Sequence, residues 1–231
     1  MSNGMFQLPT PINEPILTYA PGTEHRNTLI SRYKSMYDDV VDIPQFINGE
    51  EIRTGDVRDC RPPHDHQHVI GHYHYGRAEH AQAAVDAALG AHASWSSMPW
   101  HERAAIFLRA ADLVAGPYRA TINAATMLAQ SKTVFQAEID AACEFADFLR
   151  FNAHFMEKIY AEQPISAPGI WNRMEYRALE GFVVAITPFN FTAILTKPSS
   201  IDCFSVGRKS SSLLTDRLTI TSPPPVMEVL S

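Results

Sequence analysis

Residues 180–194 have the sequence EGFVVAITPFNFTAI, and the interpretation of the whole chain depends on this stretch. Its centre, residues 182–186, is an unbroken apolar run, preceded by Gly181 and followed by Thr187 and Pro188. A run this short that is apolar on both faces predicts a strand buried inside a parallel sheet. Pro188 cannot donate a hydrogen bond to a sheet, so the strand is predicted to end there.

The four residues after this strand, Thr187, Pro188, Phe189 and Asn190, form a candidate binding site. Ligands of open α/β sheets bind just beyond the carboxyl ends of the strands. Asn190 has a side-chain NH2 group that donates hydrogen bonds. Taken alone, the residue has two interpretations, as a donor to a ligand or as the N-cap of a helix that follows the strand.

The sequence ITPFNF at residues 186–191 resembles the aldehyde dehydrogenase superfamily, at the strand end whose backbone lies along NAD and whose Asn forms half of the oxyanion hole. Most of the superfamily has Trp where this chain has Phe189. The Phe form and three upstream segments resemble the family of 1-pyrroline-5-carboxylate dehydrogenases, also called glutamate-γ-semialdehyde dehydrogenases. These segments are QSKT at 130–133, AEIDAA at 137–142 and FLRFN at 148–152. The resemblance covers about residues 5–194.

This resemblance implies an α/β fold, namely an incomplete N-terminal part of the aldehyde dehydrogenase fold. That part comprises β-hairpins, a helix-rich region and the first strand of the Rossmann-like NAD-binding sheet. The implied activity is NAD-dependent oxidation of L-glutamate γ-semialdehyde (1-pyrroline-5-carboxylate) to L-glutamate in proline degradation. The resemblance makes Asn190 the catalytic oxyanion stabiliser, and the cofactor NAD is expected to contact Ile186, Thr187, Pro188 and Phe189. The complete enzyme is expected to be a homo-oligomer that binds a small-molecule aldehyde and NAD.

The remaining catalytic groups of that family belong to sequence downstream of Ile194. They are a nucleophilic Cys, a general-base Glu and a Gly-rich turn for the pyrophosphate. None of Cys60, Cys143 and Cys203 lies in a matching context, and Cys143 is predicted to be a small buried apolar residue in a helix. The chain is therefore predicted to be inactive by itself. The alternative is a non-catalytic interaction fragment that binds full-length subunits.

The chain divides into three predicted parts. Residues 1–40 are a polar, proline-punctuated N-terminal arm with a helix over 24–37. Residues 41–194 are a truncated NAD-binding aldehyde dehydrogenase domain. Residues 195–231 are rich in Ser and Thr and lack a helical or strand period, so this tail is predicted to be disordered and non-homologous.

Local patterns within the middle part predict its elements. Asn48-Gly49 predicts a hairpin over residues 43–52, and a second extended pair is predicted over 57–75. Helical periods predict helices over about 77–97, 99–115 and 118–129. A capping box of Thr133 and Gln136 opens a long fourth helix. The predicted apolar stripe of that helix is Ala141, Phe145, Phe148, Asn152, Phe155 and Ile159.

Five histidines lie close together in the second extended pair: His64, His66, His68, His72 and His74. Alternate residues of a strand share a face, so the first three are candidate metal ligands and a His-rich metal binder is a further hypothesis. The other interpretation is a solvated pair of polar strands. Because no Cys lies nearby and the resembled family binds no metal here, the site is predicted to contain no metal.

Composition excludes several classes of protein. The net charge of −6 and the isoelectric point of about 5.9 exclude a basic footprint for nucleic acid. No apolar run approaches the ~20 residues of a membrane span. Three scattered cysteines argue against a disulfide framework. The N-terminal residues show neither a secretory signal nor an Arg-rich transit pattern, so the predicted compartment is the cytoplasm, or the mitochondrial matrix if the source is eukaryotic.

Overall fold

The computed structural model describes residues 4–186, 190–192 and 218–221. The helices are α1 (Glu24–Asp38), α2 (Ala78–Ser97), α3 (Trp100–Ala115), α4 (Arg119–Gln130), α5 (Val134–Ala137) and α6 (Glu144–Ala161). A π-helical segment, Glu138–Cys143, joins α5 to α6. The strands are β1 (Val41–Ile43), β2 (Gln45–Ile47), β3 (Glu50–Ile52), β4 (Val57–Cys60), β5 (Gly71–His74), β6 (Val183–Ile186) and β7 (Leu218–Thr221). Among the described residues, no helix is both long and apolar enough to cross a bilayer.

The strands form three small sheets. In the first, β5 lies between β1, which is parallel to it, and β4, which is antiparallel. The second is the hairpin of β2 and β3, where Asn48 and Gly49 have φ values of 53° and 79°. Positive φ at both turn residues matches the twist of the flanking strands. The predicted hairpin and the second extended pair are confirmed.

The helical core forms where α3 packs along α6. Small residues of α3 such as Ala104 and Ala111 let the helices approach, and Phe107, Phe145 and Leu149 fill the space between them. A second core cluster forms where α1 packs on α4. There Leu29, Met36 and Leu128 are buried with Tyr19, Ile70, Ala124 and Ala125. The five predicted helices are all present, and the long last one is formed by α5, the π-helical segment and α6 together.

The predicted stripe of the long fourth helix is wrong in its last part, at Phe155 and Ile159, whereas Phe148 packs against the core as predicted. The inner face of α6 is formed by Phe145, Leu149, Ala153 and Met156, whereas Phe155 and Ile159 are nearly half exposed. The helix has apolar residues on two adjacent faces, so periodicity alone did not distinguish the face that α3 covers. The π-helical segment also has more residues per turn than an α-helix, which changes the rotational phase of everything after it.

Strand β6 is present as predicted, but its surroundings differ from a buried parallel strand. Its partner is β7, which runs antiparallel with Val183 opposite Thr221 and Ile186 opposite Leu218. Val184 is 46% exposed. A parallel neighbour requires a crossover connection, and the described residues after β6 provide only the antiparallel strand. The four residues of β7 belong to the tail predicted to be disordered, whose other residues lie outside the described ranges.

The N-terminal arm packs along the π-helical segment and α6. Three carboxylates of the π-helical segment and α6 accept hydrogen bonds from backbone N–H groups of the arm. Glu157 accepts from Leu8 at 3.1 Å, Asp147 from Glu14 at 2.7 Å and Glu138 from Leu17 at 2.8 Å. The arm pairs with none of the described strands, so these side chains provide hydrogen-bond partners for part of its backbone.

Glu138 is fully buried and lies at the centre of a polar network. Arg119 pairs with its carboxylate, and Tyr19 and Asn123 donate to it at 2.8 and 2.7 Å. Arg119 also pairs with Glu14 at 2.6 Å. Burial raises the pKa of Glu138, but the hydrogen bonds, that from Arg119 first, outweigh it and leave the pKa below its usual range. Burial likewise raises the pKa of Tyr19, so its hydroxyl stays a donor.

We expect Glu138→Ala to destabilise the chain by about 3–5 kcal/mol, because the substitution leaves the buried Arg119 guanidinium without its main partner. Urea unfolding followed by circular dichroism measures the effect. Glu180→Ala is the matched control, since Glu180 is 84% exposed in its surface pair with Arg177, and its effect is expected within about 0.5 kcal/mol. Equal effects of the two substitutions would contradict the central role of Glu138.

The contribution of Glu138 is also expected to depend on pH in one direction. A carboxyl group whose folded pKa is lowered stabilises the fold above its unfolded pKa and loses that contribution as the pH falls through the folded value. The difference in unfolding free energy between wild type and Glu138→Gln should therefore be constant above about pH 5 and shrink below about pH 4.3. A difference that grows with acidification would reverse the assigned sign.

Candidate active site at the end of strand β6

The predicted site residues lie at the carboxyl end of β6. Ile186 is the last residue of that strand, and its backbone is paired with Leu218. Asn190 is exposed in a turn. Thr187, Pro188 and Phe189 lie outside the described residues, so their predicted contact with a cofactor stays a prediction.

The turn that contains Asn190 is not the start of a helix. Phe191 and Thr192, which follow it, are not helical, so Asn190 does not cap a helix that begins at residue 191. Phe191 is half-buried against the core between α3 and α6, and Thr192 is buried. The exposed Asn190 amide is therefore next to two residues that pack into the protein.

Lys132 joins this turn to the helices. Its ammonium lies 4.4 Å from the centroid of the Phe191 ring and 2.8 Å from the Asp140 carboxylate. Ser131, with φ of 55°, ends α4 in the left-handed conformation and so turns the chain toward Lys132. Asp140 belongs to the π-helical segment.

Acidic groups surround this lysine. Burial first, and then the charges of Asp140 and Asp147, raise the pKa of Glu144, while Lys132 lowers it. Sequence reasoning missed Lys132, Asp140 and Glu144 as neighbours of the candidate site. The segments QSKT and AEIDAA were noted for their resemblance, but nothing in one sequence shows that residue 132 lies beside residue 191.

The five histidines do not converge on one point. Residues 61–70 form turns rather than a strand, so the expected shared face of His64, His66 and His68 does not exist. His64 bonds Ser131 at 2.7 Å, and His68 bonds the Tyr37 carbonyl at 2.6 Å while it stacks on the Tyr37 ring. His72 pairs with Asp59 and His74 with Asp42, each at 3.0 Å. Within the described ranges, no three His, Cys, Asp or Glu side chains are placed to hold a metal ion.

The model of the aldehyde dehydrogenase family matches residues 50–207. This match covers most of the chain and includes the end of β6. The chain belongs to the aldehyde dehydrogenase family. The family match extends past Ile194, where the sequence analysis placed the end of the resemblance.

Two relatives share one name, delta-1-pyrroline-5-carboxylate dehydrogenase. A delta-1-pyrroline-5-carboxylate dehydrogenase of Agaricus bisporus is 50% identical over 191 residues, which are 82% of this chain and 35% of that protein. The mitochondrial enzyme of that name from Homo sapiens is 45% identical over 182 residues, 79% of this chain and 32% of that protein. The chain therefore spans about a third of the length of the relatives that it matches.

Solved structures agree with this fold. The delta-pyrroline-5-carboxylate dehydrogenase of Mycobacterium tuberculosis, bound with NAD and cobalamin, superimposes with a TM-score of 0.82 at 49% identity. The superposition covers 84% of this chain and 36% of that chain. A 1-pyrroline-5-carboxylate dehydrogenase from Thermus, 20% identical, has a TM-score of 0.69 and supports the fold alone. The predicted fold class, a partial aldehyde dehydrogenase fold with α/β character, is confirmed.

Cys143 is buried, as predicted, and its surroundings disfavour a thiolate. Burial first and then the Glu138 charge raise the pKa of the Cys143 thiol to about 12, although Arg119 opposes this. Its sulfur lies 3.7 Å from the Glu138 carboxylate. A thiol held this way is a packing residue of the family fold rather than a nucleophile.

We expect Cys143 to be alkylated by iodoacetamide at pH 8 roughly a thousandfold more slowly than an ordinary thiol, because so little thiolate is present. Mass spectrometry of native and urea-unfolded protein measures the labelling, with the half-exposed Cys60 as the internal reference. Labelling of native Cys143 as fast as in urea would show that the thiol is accessible and ionised.

Proposed function

We propose that the chain is an N-terminal portion of an NAD-dependent dehydrogenase that oxidises L-glutamate γ-semialdehyde, or 1-pyrroline-5-carboxylate, to L-glutamate in proline degradation. Two observations support this proposal together. The chain is 45–50% identical to relatives named for this activity, and it superimposes on a solved enzyme bound with NAD with a TM-score of 0.82. Both alignments span more than three quarters of the chain. The family is established, and this proposal adds its substrate and cofactor.

In the proposed reaction, the side-chain NH2 group of Asn190 donates a hydrogen bond to the oxygen of the aldehyde carbonyl as negative charge develops there. A preorganised donor of this kind stabilises the transition state more than the ground state. The exposed position of Asn190 at the end of β6 leaves the amide available to a substrate. A nucleophilic thiolate and a general base are also required, and we assign neither to a described residue of this chain.

We propose that NAD binds at the same strand end. The proposed contacts are Ile186, Thr187, Pro188 and Phe189, which would hold the cofactor along the chain as it leaves β6. Val184 is exposed, so the strand is open on at least one face, as a cofactor beside it requires. Bound NAD supplies the acceptor for the hydride that leaves the substrate.

The organisation of the chain is part of the proposal. We retain an arm over residues 1–40, an NAD-binding aldehyde dehydrogenase domain over 41–194 and a tail over 195–231, although the family match includes residues 195–207 of that tail. We also retain a homo-oligomer for the complete enzyme. The cytoplasm is the proposed compartment. The mitochondrial names of the human and mouse relatives favour the matrix instead if the source is eukaryotic.

A second candidate function is that of a non-catalytic fragment that binds full-length subunits. The observation that favours it is a set of exposed apolar side chains at and beyond the end of α6. Ile165 and Trp171 are 92% and 81% exposed, and Phe155, Ile159 and Ile170 are also exposed. Co-purification of the chain with a full-length dehydrogenase, lost when Trp171 is replaced by Ser, would support this candidate.

The proposed function is tested by a chimera in which residues 5–194 replace the matching part of the Mycobacterium tuberculosis enzyme. The chimera is expected to reduce NAD with glutamate γ-semialdehyde as substrate. Asn190→Ala in the chimera should lower kcat by about 10²–10³-fold while NAD affinity stays near normal, because one oxyanion donor is lost and the cofactor contacts are retained.

Asn27→Ala is the matched control, since Asn27 is exposed on α1 far along the chain from the strand end. Its kcat should equal that of the unmodified chimera. A folded chimera that binds NAD but does not oxidise the semialdehyde would contradict the proposed substrate. Unchanged kcat in Asn190→Ala would remove the oxyanion role.

We expect the 231-residue chain alone to show no NAD reduction with glutamate γ-semialdehyde above a blank without enzyme. Covalent catalysis needs a thiolate beside the substrate, and the Cys143 thiol has a pKa of about 12. Spectrophotometry at 340 nm, after removal of any contaminating host dehydrogenase, provides the measurement. Turnover that stays with the chain through that purification would show a nucleophile that we have not assigned.

A further inference from the structure

Two side chains that are eight residues apart and a third that lies more than fifty residues later form a continuous series of contacts that ends beside Asn190. The Asp140 carboxylate holds the Lys132 ammonium at 2.8 Å, and that ammonium lies 4.4 Å from the centroid of the Phe191 ring. Phe191 is the residue after Asn190. The series therefore connects the π-helical segment to the turn that presents the Asn190 amide.

The fixed end of this series is rigid. Asp140 is two residues from Glu138, whose carboxylate is fully buried and bonded by Arg119, Tyr19 and Asn123. The position of the Asp140 backbone is thus set by the core of the protein. Lys132 extends from the end of α4 to this carboxylate, and its side chain is only 15% exposed.

The other end of the series controls the turn. Within the described part of the chain, the Asn190 side chain has no hydrogen-bond partner, so its direction depends on the residues that flank it. Phe191 is packed on the core between α3 and α6, with Lys132 over its ring face. A cation attracts an aromatic face most strongly when water is excluded, which is the situation of this mostly buried lysine.

We propose that Lys132 is a positioning residue that holds the Phe191 ring and thereby directs the Asn190 amide toward the reacting carbonyl. The catalytic meaning of this inference rests on the proposed function, whereas the contact itself does not. Lys132 provides a charge that an apolar residue of equal length cannot, because only a cation both pairs with Asp140 and attracts the ring. Lys132 touches neither substrate nor cofactor in this assignment.

The first test detects the contact directly in the full 231-residue chain. The sequence contains five lysines, so protein labelled with 13C-lysine gives few side-chain signals to assign. The ε-methylene signal of Lys132 is expected upfield of the other four because of the Phe191 ring current. Phe191→Leu should remove this shift while the Lys132–Asp140 pair remains. A Lys132 signal at the ordinary position in wild type would overturn the proposal.

The second test measures how strongly the turn that contains Asn190 is held in place. Amide hydrogen exchange of peptides that contain residues 190–192 should be about tenfold faster in Lys132→Met than in wild type, the factor for a cation–π contact of moderate strength. Lys132→Arg should restore slow exchange, because a guanidinium also pairs with a carboxylate and stacks on a ring. Unchanged exchange in Lys132→Met would overturn the proposal.

Lys158→Met is the matched control. Lys158 also lies over a ring, that of Phe155, but at 6.0 Å and at the far end of α6. Its substitution should leave exchange at residues 190–192 unchanged, and an equal acceleration would show general loosening and overturn the specific role of Lys132. If Lys132→Met releases the turn while Asn190→Ala leaves the chimera fully active, the oxyanion role of Asn190 and the catalytic meaning of the contact fail, whereas the contact itself stands. If the folded chimera binds NAD but does not oxidise the semialdehyde, the proposed function fails and the contact again stands.

Discussion

The structure depends on one buried carboxylate. Glu138 has no exposed surface, yet it stays ionised because four groups from two separate parts of the chain donate to it, namely the arm through Leu17 and Tyr19, and α4 through Arg119 and Asn123. Without those donors a buried charge costs several kcal/mol. The network therefore couples the docking of the arm to the packing of α4, and neither is complete without the other.

Elements set by short-range interactions could be predicted from the sequence. The Asn48-Gly49 turn and the capping box of Thr133 and Gln136 each involve residues within a few positions of one another, and both occur as predicted. The partner of β6 depends on a segment more than thirty residues later, which local pattern does not specify. The π-helical segment was also missed, because a short run of six residues has too few apolar positions to distinguish a π period from an α period.

The candidate site was predictable only in part, because some of its contacts join residues that are far apart in the sequence. Asn190 was found because its neighbours in sequence resemble a known strand end. Lys132 and Asp140 were not, since they lie 59 and 51 residues before Phe191 and meet it only after α4, the π-helical segment and the β6 turn have packed together. The predicted common face of His64, His66 and His68 was wrong for the opposite reason. Closeness in sequence suggested a common face, but turns rather than a strand separate His64 from His68.

The π-helical segment is where the fold and the candidate site meet. Glu138 and Asp140 lie two residues apart on it, one fully buried and the other partly exposed toward Lys132. Side chains two positions apart on a helix point to nearly opposite sides. The Glu138 carboxylate therefore lies in the core, while the Asp140 carboxylate pairs with Lys132 beside the turn after β6. Any motion that loosened Glu138 from Arg119 would also displace Asp140, and through Lys132 it would reach Phe191. In the proposed enzyme, a stable core is therefore a requirement for the orientation of Asn190 as well as for folding.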